Sequence, residues 1–588
     1  MLSTDTGQAT AGKSHGAPMR ASAEPITVSA EHKPAAIGRR IGSLSSSLAV
    51  FGVLLAVVAG LQVRDRAYTA EFTSGGDAAS HYITGLLFHG YLLSGLRSPI
   101  AFLRQFASHY PAVGIGHWGP LYYCIEAVWM LLFGSSRESM LLLSASVTAA
   151  IATISYAVAA RRLGRMIAWL VAAGFVVLPI TQQSSGELML DAPVALAALT
   201  AALLYARFLD TPSPRRALCF ALAALAAILI KGNGFALALL PPLAILIARR
   251  FAMLRVPAFW LPLPIVALGA GPLYVFTWNV VAQGFRYSWG LNYVEHAVEA
   301  NGMMLAEASG LVLLAVGLIG FVVCLTRRTP AAHNNAFVCS AALFASVFIF
   351  QSVVPADLQN RYLLPGVAPF VLLAGLALRH GADWLRAHPF IALQKRWPSM
   401  AELTLVAICG VLLIPAMLNA KPMRQLGLIV AAKESWANLP VRNPAVLIAC
   451  DQDWEAAAVA ELALNDPHPP SMFAIRGSRL LGGGGYNNSQ YLPRFKTDEE
   501  VMAEIDAYRI PLVLLCTGAQ AARWEHVNQV AGAVARYPGR WQRIWQGGNG
   551  NGHLVTLYRI VGNETKDADL RRLVELSAPR ALGGGGRP

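Results

Sequence analysis

GGDAASHY (Gly75–Tyr82) and HWGPLYYCIEAVWMLLF (His117–Phe133) frame the stretch on which the reading of this chain turns. The apolar part, Gly119–Phe133, is only about 15 residues long, whereas a bilayer-crossing helix needs about 20. Upstream, Arg39 and Arg40 precede an apolar run, Ile41–Val63, that is long enough to span. Positive residues on its near side place the N-terminus in the cytoplasm, as an uncleaved anchor, so that Gly75 emerges on the far side. If Gly119–Phe133 crossed back, Arg161, Arg162 and Arg165 would sit outside. If it lies in the interface, those arginines fall inside. Arg215 and Arg216, then Arg249, Arg250 and Arg255, then Arg327 and Arg328, then Arg379, Arg386, Lys395 and Arg396 follow them. Every one of these loops obeys the positive-inside bias under the second assignment and breaks it under the first. The segment is therefore read as interfacial or re-entrant.

About eleven spans result, roughly 41–63, 139–160, 166–181, 191–209, 216–230, 234–248, 257–280, 306–326, 336–353, 362–378 and 401–419. The composition agrees: 55% of residues are hydrophobic and 14% charged, well below the quarter typical of soluble domains, and the mean hydropathy is +0.47. The net charge of +14 sits in the basic loops, so nucleic-acid binding is the weaker explanation of it. Seven Cys occur without a CxxC pair, which gives a zinc or redox motif no support. Residues 1–38, rich in Ala, Ser, Thr and Gly, read as a disordered cytoplasmic tail.

The composition shifts after about residue 420. Ala445–Cys450 and Ile510–Cys516 are short continuous apolar runs, as buried parallel strands are. Trp454–Leu464 has helical character, and Trp541–Gln546 with His553–Ile560 flank GGNGNG as a hairpin would. A small α/β domain on the outer side is expected over 421–562, with a disordered tail over 563–588. Cys450 and Cys516 end two candidate neighbouring strands. Unpaired thiols are the expectation and a disulfide the alternative, since strand adjacency is itself inferred. The Gly482–Gly485 run with Tyr486, Asn487 and Asn488 reads as a flexible loop.

The outer loops collect Asp77, His81, His117, Glu187, Asp191, Lys231, Arg286, Asp357 and Arg361. A reaction there on an anionic, membrane-embedded donor needs a carboxylate to accept a hydroxyl proton and cations to hold a phosphate leaving group. Asp77 fits the first need, and Lys231 and Arg361 the second. Snorkelling to the interface is the bland account of Lys231, and a salt bridge to Asp357 that of Arg361. Glu187 and Asp191 share a face if their helix begins early; otherwise one caps Asp191–Leu209, where Pro193 suits the first turn.

Five segments in order resemble the polyprenyl-phosphate-sugar-dependent glycosyltransferases of the membrane GT-C type, which include protein O-mannosyltransferases and the lipid A aminoarabinose transferase. They are GGDAASHY, GPLYY (Gly119–Tyr123), MLDAP (Met189–Pro193), KGNG with LLPP (Lys231–Gly234, Leu239–Pro242) and RYLLPGVAP (Arg361–Pro369). The resemblance covers residues 75–370. It implies a GT-C core over 39–420, with Asp77 as catalytic base, Asp191 as the second-loop acid, and Lys231 and Arg361 at the donor phosphate; Glu187 is kept beside them as a further candidate acid. His81, Tyr82, His117, Tyr122 and Tyr123 complete the expected substrate contacts. Two departures stand out. Ala78 follows Asp77 where many relatives carry Glu, and His117-Trp118 stand where the aminoarabinose type has Glu-Lys. His117 reads better as a packed loop histidine than as a replacement for that lysine.

The implied activity is inverting transfer of a sugar from a polyprenyl-phosphate donor to a hydroxyl acceptor of the cell envelope, at the outer face of the inner membrane. No cofactor is expected, and no residue cluster has metal-ligand spacing. An inactive lipid-linked-sugar binder or envelope scaffold is the alternative. A transporter is the lesser one, because the charges sit at span ends and no half-to-half repeat is visible.

Overall fold

Two compact units divide the chain, residues 1–49 and 50–588. The computed structural model describes residues 34–72, 76–96, 98–327, 329–387, 400–418, 427–440, 442–467, 469–483, 491–548 and 552–577. Most of the expected N-terminal tail, Gly75, Arg328, Lys395, Arg396, the loop 484–490, residues 549–551 of the hairpin turn and the last residues from 578 lie outside them. In the first unit α1 (Pro34–Arg64) begins, before the expected boundary at 38.

In the second unit the first outer segment forms α2 (Asp77–Leu93), α3 (Pro99–His109) and α4 (Leu121–Phe133). The apolar runs that follow become α5 (Arg137–Ala160), α6 (Arg165–Val177), α7 (Pro179–Gly186), α8 (Asp191–Asp210), α9 (Pro214–Ile230) and α10 (Leu240–Ala248). Next come α11 (Pro257–Trp260), α12 (Pro262–Val281), α13 (Leu291–Thr326), α14 (Asn335–Val353), α15 (Leu364–Ala387) and α16 (Met400–Leu418). Among the described residues seven helices are long and apolar enough to cross a bilayer. An eighth results if α6 and α7, bent by 59° at Leu178–Pro179, form one broken span. The chain is a multi-pass membrane protein. The remaining expected spans fall on α9, on the 3₁₀ turn Gly232–Ala238 leading into α10, and on α16.

At 13 residues α4 is roughly 20 Å long, short of a hydrocarbon core of about 30 Å. The end of α1 and the start of α5, on either side of it, lie side by side. Gln62, near the end of α1, donates to the carbonyls of Leu141 (3.0 Å) and Ser185 (2.7 Å). Arg137, at the start of α5, donates to the Ala70 carbonyl at 2.5 Å. The basic loops are tied together elsewhere: Arg250 donates to Leu209 O (2.5 Å) and Arg327 to Ala248 O (2.9 Å).

The small α/β domain has a five-stranded sheet in the order β2-β1-β5-β7-β6. The strands β1 (Ala445–Ala449), β2 (Phe473–Arg476) and β5 (Leu512–Thr517) are parallel, and the hairpin β6 (Trp541–Gly548) and β7 (Leu554–Ile560) adds antiparallel strands at one edge. A two-residue ladder pairs β3 (Gly482–Gly483) with β4 (Leu492–Pro493). The helices are α17 (Leu428–Asn438), α18 (Gln452–Leu464), α19 (Gly477–Leu480), α20 (Asp498–Ala507), α21 (Glu525–Arg536) and α22 (Asp567–Ser577). Val446, Ile448, Leu512 and Leu514 face α17 and α18, in one apolar core with the membrane helices. Leu447, Val513 and Leu515 face a second core with α20 and α21. Both faces are covered, which is why these strands read as unbroken apolar runs.

The domain is clamped to the membrane helices through buried polar groups. Arg137 grips Glu461 with one nitrogen at 2.7 and 2.6 Å from its two oxygens, and Glu71 accepts from the Gly427 (2.8 Å) and Ile429 (3.2 Å) amides. Two expectations are corrected. Cys450 and Cys516 form a disulfide, because β1 and β5 are direct neighbours and bring the two Cα atoms to 4.8 Å. The expected tail from 563 instead contains α22, whose Leu570 and Leu573, one turn apart, are buried in the second core.

Candidate active site

α8 and α9 are consecutive antiparallel helices, so the first residue of α8 meets the residue just past α9. These are Asp191 and Lys231, and Lys231 Nζ lies 2.7 Å from Asp191 Oδ1 with both side chains buried. Lys231 therefore does not snorkel; its charge is held inside by a carboxylate. Two motif glycines make this turn possible. A Cβ on Gly119 would stand 2.0 Å from the Leu229 carbonyl oxygen, and one on Gly234 2.5 Å from the Ala227 backbone. Only glycine lets these backbones come so close.

Arg361 sits in the 3₁₀ turn Asn360–Leu363 that leads into α15. Its Nη2 lies 2.6 Å from Oδ2 of Asp77, the first residue of α2. Its Nε donates to Gln359 Oε1 (2.5 Å) and its Nη1 reaches Met189 Sδ (3.5 Å). The expected bridge to Asp357 is absent as a direct contact: Asp357 accepts from Gln359 Nε2 at 2.6 Å, and Gln359 in turn holds Arg361. The two ion pairs meet at Tyr362. The Lys231 ammonium is 4.6 Å and the Arg361 guanidinium 5.4 Å from its ring centre, a cation–π geometry.

His81 lies one turn beyond Asp77 on α2. Its Nδ1 is 2.9 Å from the Tyr123 hydroxyl, and its ring is 4.4 Å from that of Trp118, against which His117 packs edge-on at 4.6 Å. Burial pushes the His81 imidazole well below its ordinary range, and the charges of Lys231, Arg361 and His117 add to this. It is a neutral hydrogen-bonding group at neutral pH. Burial also lowers His117, partly offset by Asp77.

Tyr82 and Tyr122 face elsewhere. Tyr82 donates to Ser135 O (3.1 Å) and stacks on Phe72 at 5.0 Å, beside the Arg137–Glu461 clamp. Tyr122 is buried next to Glu126. Glu187 is in extended backbone, and α8 starts only at Asp191, so the two acids share no helical face. The Glu187 carbonyl accepts from the Met189 amide (3.0 Å) and the Ser144 hydroxyl (3.4 Å). Sequence reasoning missed Tyr362 and Gln359, although both flank Arg361 in its motif. It also missed Asp453, for which the sequence carries no signal.

An arginine has five N–H donors and an ammonium three. The bonds above leave donors on both cations for an anionic oxygen, with the Asp77 carboxylate beside them. Asp191 Oδ2 and His81 Nε2 are buried and make no hydrogen bond among the described residues. Also among the described residues, no three His, Cys, Asp or Glu side chains converge as a cation site requires.

No protein-family model matches the chain, and no curated protein sequence does. Two solved structures share its architecture. ArnT from Cupriavidus metallidurans in the apo state is 13% identical, with a TM-score of 0.53 over 89% of this chain and 98% of that one. ArnT from the same organism bound to undecaprenyl phosphate is also 13% identical, with a TM-score of 0.53 over 86% and 97%. The fold is thus of the GT-C type, a membrane helical core followed by a small α/β domain. The likeness to ArnT runs over most of this chain and nearly the whole of that one.

Proposed function

We propose that the protein is an inverting glycosyltransferase. It moves a sugar from a polyprenyl-phosphate-linked donor to a hydroxyl acceptor (glycolipid, polysaccharide or protein) at the outer face of the bacterial inner membrane. The observation that carries the reading is the meeting of the Asp77–Arg361 and Asp191–Lys231 pairs at Tyr362. Asp77 accepts the proton of the acceptor hydroxyl, whose oxygen attacks the anomeric carbon from the side opposite the phosphate. The bond from that carbon to the phosphate oxygen breaks, and Arg361 and Lys231 hold the charge that develops there. Asp191 keeps Lys231 in place. His81, neutral and tied to Tyr123, packs the wall of the site.

Further support comes from the membrane part. A largely apolar cavity of about 330 Å³, lined by Leu170, Val171, Gly310, Val371, Leu378 and Pro415, has the chemistry that a prenyl chain needs. One ArnT structure is bound to undecaprenyl phosphate, a polyprenyl phosphate. The loop charges favour cytoplasmic basic loops, with the site and the α/β domain outside.

The test has two arms. Purified full-length protein in lipid is offered undecaprenyl-phosphate-linked hexoses and pentoses, and release of undecaprenyl phosphate is followed with envelope extract as acceptor. Mass spectrometry compares envelope glycans with and without the gene. Release of the lipid phosphate together with a lost modification is expected. Consumption of no donor and an unchanged envelope would reject the reading.

A further inference from the structure

The α/β domain brings a carboxylate of its own to the residue next to Asp77. Asp453 lies in the first turn of α18, and this helix packs across α2. Gly76, directly before Asp77, has φ +76. A Cβ built on it would lie 3.5 Å from Ala456 Cβ and 3.6 Å from Asp453 Oδ1. We propose that Asp453 is the second acid of the transfer centre, a positioning residue that acts through Asp77 from the other domain. This inference rests on the glycosyl-transfer reading.

The simpler account is a first-turn acid that complements the helix dipole. That need is already met by Asp451, which caps α18 by accepting from the Asp453 and Trp454 amides at 3.0 Å. Glu455, also in the first turn, is taken up by Arg476 (2.9 Å) and Ser478 (2.7 Å to its amide). A dipole acid is also favoured in its charged form, and Asp453 is not. Burial first, then the neighbouring Asp451 and Asp77, push its carboxyl up to about 6, against the pull of Arg476 on β2 and of Arg286 in the loop after α12.

The coupling has a definite sign. Above about pH 6 Asp453 is charged, and it then sets a second negative charge beside Asp77 as the acceptor proton is taken. Below that pH Asp453 is neutral and the help is lost. Transfer is expected to rise with pH through this window, and Asp453→Asn to remove the rise.

Two measurements on the full-length protein test this. The first is pH-difference infrared spectroscopy of the carboxyl stretch. A group titrating near 6 is expected in the wild type, absent in Asp453→Asn and shifted to lower pH in Asp77→Asn. An Asp453 band that Asp77→Asn leaves unmoved overturns the proposal. The second is the pH profile of undecaprenyl phosphate release from the undecaprenyl-phosphate-linked sugars. At pH 7.5 Asp453→Asn should turn over roughly threefold to tenfold more slowly with a flattened acid limb, and Asp453→Glu should restore part of it. An unchanged profile in Asp453→Asn beside an inactive Asp77→Asn rejects the role of Asp453 and leaves the transferase reading intact. A wild type inactive on every donor, with the infrared coupling present, rejects the transferase reading and with it the role assigned here.

Discussion

A buried ammonium beside a single carboxylate leaves little room for substitution. Asp191→Asn would leave Lys231 charged, buried and uncompensated, a loss of about 3–5 kcal/mol for a broken buried pair. Thermal unfolding should show a large drop in Tm. The double variant Asp191→Leu/Lys231→Met should recover most of it while staying inactive, and a double variant as unstable as the single one would contradict the ion-pair account. At the second pair the expectation is different, because Arg361 is partly exposed and tied by three partners. Arg361→Lys keeps the charge but loses the planar fork, so the contact to the donor phosphate should weaken by about 1.5–3 kcal/mol. Direct binding of undecaprenyl phosphate should then be roughly tenfold to a hundredfold weaker, with protein abundance unchanged. Unaltered affinity would remove Arg361 from the phosphate site.

Among the elements, the turn between α9 and α10 and the join between β1 and α18 position everything else. Gly119→Ala or Gly234→Ala must force backbones apart where a Cβ would meet Leu229 O or Ala227, and should lower both Tm and turnover. A variant with wild-type values would show that the turn is not rigid. The Cys450–Cys516 disulfide closes a segment with a sequence separation of 66, worth roughly 4 kcal/mol in the chain-entropy picture. Because α18 begins two residues after Cys450, Cys516→Ser should destabilise the domain and loosen Asp453 as well. Full stability after reduction would contradict this. These features also mark how far the sequence could be read. Asp77, Asp191, Lys231 and Arg361 stand out because each is a charge near the end of an apolar run and falls within one of the five quoted segments. Their pairing does not, since Arg361 lies near Asp357 in the chain but bonds Asp77, 284 positions away. The disulfide was hidden for the same reason: strand order is a long-range property, and two cysteines at strand ends are compatible with either state. Glu187 and Asp191 share no helical face because α8 starts only at Asp191, a boundary that the four-residue spacing leaves open.

For the molecule as a whole, the fold joins a multi-pass helical bundle to an α/β domain through shared core and buried clamps, and the site lies where the two meet α2. If the basic loops are cytoplasmic, a cysteine at exposed Arg161 in a background that keeps only the disulfide cysteines should resist a membrane-impermeant reagent in intact cells, while one at exposed Ala519 in the α/β domain reacts. Equal labelling would overturn the topology. The central claim is that Asp77 is the base of a polyprenyl-phosphate-dependent transfer. Asparagine keeps its size and one acceptor oxygen but cannot take a proton. The most direct measurement is therefore turnover of purified Asp77→Asn with saturating donor, next to its binding of undecaprenyl phosphate. The predicted result is intact folding and donor binding with turnover lower by about 10²–10⁴-fold. Wild-type turnover in the asparagine variant would contradict the account.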